Sequence, residues 1–167
     1  ANAPAHWTHS VSLTESPALP SILHAAYADE HIDRFNTFVS LGQGIVDRMD
    51  PVNHARFVHI DASSSDKHVL QVVGRDDPNV PDDAQYALAR GLFTQQVVQS
   101  GATPLDNIDE ISAPVTANVG PATAVAVVNT GADPHRLIYE DARTQVQMFE
   151  FLGTAVRDGT PTVPSVP

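Results

Sequence analysis

The chain has 167 residues, enough for one domain with a sizeable core. Hydrophobic residues make up 42% of it and charged residues 17%, which is a globular rather than a disordered composition. With 20 acidic against 9 basic residues the formal net charge is -11, a field that repels phosphate backbones and argues against nucleic-acid binding; the lack of any cysteine removes disulfides, thiolate metal sites and thiol nucleophiles.

No stretch approaches the ~18 consecutive apolar residues that a membrane span needs. The opening "ANAPAHWTHS" has neither the basic start nor the apolar stretch of a signal peptide. A cytoplasmic protein with no membrane partner is expected.

In chain order, residues 1–20 read as an irregular Pro- and Ser-containing arm. From Ser21 the spacing turns helical: Ile32, Phe35, Phe38, Val39, Gly42, Ile45, Val46 and Met49 recur at three- and four-residue steps, and Pro51 is expected to end the helix. "ARFVHID" and "HVLQVVG", separated by "ASSSDK", read as a β-hairpin. "RDDPNVPDD" reads as a solvated acidic loop, without the alternating ligands of a calcium loop. A helix is expected from about 82 to 99, with Ala84, Leu88, Leu92 and Val98 as its apolar trace and Ser100-Gly101 as its stop. "TPLDNIDEISAPVT" is a loop or a short strand. "ATAVAVVNT" is apolar at nearly every position and predicts a central strand buried on both faces. "GADPHRL" is a turn. A final helix follows, with Ala142, Val146, Phe149, Leu152 and Val156 on one side. Residues 159–167, "GTPTVPSVP", read as a Pro-rich tail or linker. The order predicts an α+β fold with an antiparallel sheet of about five strands, packed with N- and C-terminal helices.

Several of these stretches carry a resemblance. "FNTFVSLGQGIVDRMD", "ARFVHIDASSSDKHVLQVVGR", "ARGLFTQQVVQSGATPLDNIDE", "SAPVTANVGPATAVAVVNTG" and "RLIYEDARTQVQMFEFLGTAV" together resemble a GAF domain, the small sensor module of bacterial signalling proteins. The similarity covers residues 21–158. It implies a GAF- or profilin-like antiparallel sheet and a cavity for a small molecule. The signal would pass through the terminal helices, which would also form a homodimer. A ligand-free dimerisation module and a haem-binding sensor are the alternatives that the resemblance leaves open. A thioether-linked bilin is excluded by the missing cysteine.

The hairpin holds the candidate ligand groups. If Asp61 lies across from His68, then Phe57, His59, Asp61, His68, Leu70 and Val72 share one face, the more polar one. That face is assigned to the cavity, with Tyr86 and Phe93 lining it from the helix at about 82 to 99. The plainer reading leaves Asp61 and His68 at an exposed hairpin end and gives His59 one structural hydrogen bond. No histidine pair has metal-ligand spacing on one element, so no metal is expected. No phosphate loop, nucleophile elbow or nucleophile–base–orienter set stands out, so a sensory or regulatory module rather than an enzyme is expected.

Overall fold

In the computed structural model the described residues are Ala25, residues 37–60 and residues 67–166. They form helices α1 (Thr37–Val46), α2 (Pro51–Ala55) and α3 (Phe57–Ile60), strand β1 (Val69–Gly74), helix α4 (Asp82–Gly91), strands β2 (Gln95–Val98), β3 (Glu110–Ser112) and β4 (Ala124–Asn129), and helices α5 (Leu137–Glu140) and α6 (Ala142–Asp158). A 3-10 turn, Pro134–Arg136, links β4 to α5.

The sheet has four strands in the order β1-β4-β2-β3, and every pairing is parallel. The expected antiparallel GAF- or profilin-like sheet of about five strands is therefore overturned. The cause lies in the connections. α4 carries the chain back between β1 and β2, as parallel strands require. Between β2 and β3 no helix does this. Instead the buried Gln96 side chain donates to the Thr103 carbonyl at 3.0 Å and accepts from the Leu105 amide at 2.6 Å, holding the loop in place.

The expected central strand is present. All six residues of β4 are buried, between β1 and β2. Its β-branched and small residues feed two clusters, one on each face. Val73, Ala126 and Val128 meet Tyr86 and Ala89 of α4, with Leu105 and Ile108. Val97, Val125 and Val127 meet Phe151 of α6, with Val115 and Val163. Val163 lies in the stretch expected to be a linker, yet it is fully buried and pairs with Val115.

The N-terminal part departs from the hairpin. Phe57–Ile60 is helical rather than the first strand of a pair. Pro51 does not stop a helix but starts one: it occupies the first turn of α2, and Asp50 caps that turn by accepting from the Val52 amide at 3.0 Å. The helix expected before Thr37, with Ile32 and Phe35, and the residue Asp61 lie outside the described residues. The helix expected to run to 99 ends at Gly91, and Gln95–Val98 is a strand.

The last helix turns an unexpected side inward. α6 buries Thr144, Gln147, Phe151 and Thr154, while Val146, Phe149, Leu152 and Val156 are exposed. Bonds link the buried polar residues: Asp141 accepts from the Thr144 amide at the cap, and the Asn129 amide donates to the Thr144 hydroxyl at 2.6 Å and to Gln147 Oε1 at 3.3 Å. Among the described residues no helix is long and apolar enough to cross a membrane.

Candidate active site

Ligand sites in open parallel sheets sit beyond the carboxyl ends of the strands. Here the pairing of Gly74 with Asn129 brings the ends of β1 and β4 level. The two following loops therefore start side by side. Gly74 makes their contact close: a Cβ there would lie 2.2 Å from the Pro134 carbonyl oxygen. Only glycine fits.

Each loop delivers one group. Asp77 follows β1, and its Oδ1 accepts from the backbone amides of Asn79 at 2.7 Å and Val80 at 3.1 Å. His135 follows β4 on the 3-10 turn, where Asp133 accepts from the His135 amide at 3.0 Å. The His135 Nδ1 and the Asp77 Oδ2 lie 2.9 Å apart. A carboxylate only accepts, so Nδ1–H donates and Nε2 is left as the basic nitrogen. The Asp77 side chain is 6% exposed and the His135 side chain 50%. The carboxylate is thus locked and engaged on both oxygens, while the imidazole meets solvent.

The loop from β1 is braced from below. The buried Gln85 amide of α4 donates to the Gly74 carbonyl at 2.8 Å and to the Val80 carbonyl at 2.9 Å, and accepts from the Gly74 amide at 3.1 Å. One side chain therefore ties both ends of the Asp77 loop. Beside it, Asp82 accepts from the Asp76 amide at 3.1 Å and from the Tyr86 hydroxyl at 2.9 Å, with Arg75 at 3.7 Å. Burial, then the bond to Asp82 and its charge, push the Tyr86 phenol up to about 12.

A cleft of about 300 Å³ opens at the pair. Val72, Val80, Leu88, Leu137 and Ile138 supply apolar walls, and Gln71, Asp77 and His135 supply polar ones. Among the described residues no serine, threonine or cysteine lines it. No group of three or more histidine, cysteine, aspartate or glutamate side chains is placed to hold a metal among the described residues.

The residues singled out from the sequence do not gather in one cavity. His59 is in α3, with both ring nitrogens buried and without a hydrogen-bond partner. Burial first, and the nearby His68 second, lower its pKa below 6.5. His68 precedes β1, and its Nδ1 accepts from the Thr123 amide at 3.0 Å, a structural role. Leu70 packs on the α6 side of the sheet and Tyr86 on the α4 side. Phe93 lines a separate cleft at the other end of the strands. Asp61 is outside the described residues. Asp77 and His135 were passed over in the sequence as part of an acidic loop and of a turn. The signal available was positional: each stands a few residues past the end of an apolar strand.

No family model matches the chain, and no curated protein or solved structure matches it either.

Proposed function

We propose that Asp77 and His135 are the orienting acid and the general base of a hydrolytic site acting on an acyl compound with an apolar group. The 2.9 Å contact between a locked, nearly buried carboxylate and a half-exposed imidazole carries this reading. In such pairs the acid holds the ring in one tautomer and stabilises the imidazolium, while staying ionised itself. His135 Nε2 takes the proton of an oxygen nucleophile as that oxygen attacks the acyl carbon. It then returns the proton to the leaving group. The order of acid before histidine is one that serine hydrolases built on parallel sheets use. The nucleophile in this reading is a water, since among the described residues no serine, threonine or cysteine lines the cleft. The walls of Val72, Val80, Leu88, Leu137 and Ile138 favour an apolar acyl or alcohol part. This reading departs from the non-enzymatic sensor expected from the sequence.

Hydrolysis of p-nitrophenyl butyrate by the chain tests it. The expected result is turnover above the buffer rate that Asp77→Asn and His135→Gln each lower by about 10²–10⁴-fold, the usual share of a positioned base. Equal rates for both variants and the parent, at unchanged melting temperature, would contradict it.

A further inference from the structure

A second cleft, of about 530 Å³, lies at the opposite pole of the sheet, where β2, β3 and β4 begin. Arg90, Phe93, Gln95, Asn107, Asp109 and Asn118 are among the residues lining it. Its rim is built in an unusual way. Phe93 follows Leu92, the C-cap of α4, and the Phe93 and Thr94 amides donate back to the Arg90 and Ala89 carbonyls, both at 3.1 Å. This is the helix stop that glycine normally supplies, because its central residue is left-handed. Phe93 has φ 52°, where a bulky side chain is an outlier. Yet its ring is not held by the core: the residue is 49% exposed. Asn107, across the cleft, has φ 58°. Ala117, next to Asn118, has φ 49°. Two of the four non-glycine residues with positive φ among those described thus line one cleft, and a third adjoins a residue that lines it. Strain that packing does not require points to function at that place.

The chemistry around the ring is mixed and largely unengaged. Asn118 is committed to the start of β4, donating to the Ala124 carbonyl and accepting from its amide. It also donates to Gln95 Oε1, which leaves the Gln95 NH₂ group for the cleft. Arg90 contributes one Nη to the Asp106 carbonyl and keeps further donors. The Asn107 amide and the Asp109 carboxylate add both donor and acceptor capacity. One cation and one anion in the same cleft give no net preference for an ion of either sign. Hydroxyl groups, which donate and accept at once, suit this set. The face of an exposed phenyl ring attracts the weakly positive C–H groups of a pyranose.

We propose that this cleft binds a neutral saccharide, with a sugar face stacked on Phe93 and its hydroxyls bonded by Gln95, Asn107, Asp109 and Arg90. The site is independent of the Asp77–His135 pair.

Titration of the full chain with cellotriose and, separately, maltotriose tests it, followed by backbone amide NMR and thermal melts. The expected shifts are confined to residues 90–95, 107–109 and 118–119 with at least one of the two sugars. Phe93→Gly, which removes ring and strain together, raises the melting temperature by about 2–4 °C and weakens binding about tenfold or more. Asp109→Asn weakens binding with little change in melting. Absence of shifts with both sugars at tens of millimolar overturns the proposal. So does binding that survives Phe93→Gly.

Discussion

The Asp77–His135 contact depends on a few residues that never touch the imidazole. Gly74 is the sharpest case. A methyl group there meets the Pro134 backbone oxygen at 2.2 Å and Leu137 at 3.2 Å, so the two loops must part. Gly74→Ala should cost about 1–3 kcal/mol, the usual range for overpacking, and should remove hydrolysis as completely as His135→Gln. Wild-type melting and activity in this variant would show that the loops are not coupled. His59 gives a pH prediction. Its folded pKa is lowered by burial first and by His68 second, from 6.5 in the free side chain. The unfolded chain therefore binds the proton more readily. The stability this histidine contributes is complete above pH 6.5 and is lost as the pH falls through the lowered folded value. His59→Leu removes two buried nitrogens that have no partner, so it should hold or raise the melting temperature at neutral pH. It should also flatten the decline in stability between neutral and mildly acid solution. An unchanged slope in paired melts would contradict this.

At the level of elements, α6 is the instructive one. Its periodicity was legible, and so was its apolar stripe, but the direction that stripe faces was not. Hydropathy alone puts Val146, Phe149, Leu152 and Val156 inward. The fold instead places Thr144, Gln147 and Thr154 there: Asn129 at the end of β4 donates to Thr144 and Gln147, Asp141 caps the helix at Thr144, and Thr154 accepts from the Thr162 amide. Burial pushes the Asp141 carboxyl up, but two hydrogen bonds from Thr144 and the charge of Arg143 outweigh it, leaving the group below its ordinary 3.8. Phe151→Ala should therefore cost about 3 kcal/mol or more, and Leu152→Ser less than about 0.5 kcal/mol. Denaturant unfolding of the two variants checks the difference, and similar costs would put the helix the other way round. The strand β4 was legible because every position of "AVAVVN" avoids charge, as a strand covered on both faces does. "FVHI" was misread because β-branched and aromatic residues favour strands locally. The Asp50 cap and Pro51 start a helical turn just before it, and the chain stays helical to Ile60. Sheet direction was not legible, since it depends on how each connection crosses the sheet rather than on the strands themselves.

For the whole molecule, the parallel sheet explains why the site was hidden. Asp77 and His135 are 58 residues apart, with helix α4 and the strands β2, β3 and β4 between them. Only insertion of β4 beside β1, in the register that pairs Gly74 with Asn129, brings their loops together. An antiparallel arrangement of the same two strands would send the loops to opposite poles. Parallel order also separates the two clefts: one lies beyond the strand ends, at Asp77 and His135, and the other at the strand starts, around Phe93. Of the four non-glycine residues with positive φ among the described residues, Asp76 adjoins Asp77 of the first cleft, Phe93 and Asn107 line the second, and Ala117 adjoins Asn118 there. If Asp77 orients a base at His135, it must fix the tautomer of that ring. Long-range ¹H–¹⁵N NMR of the histidine rings in neutral solution tests it most directly. The expected result is a neutral His135 protonated at Nδ1 in the parent chain, and loss of that preference in Asp77→Asn. A neutral His135 protonated at Nε2, with a spectrum that Asp77→Asn leaves unchanged, would contradict it.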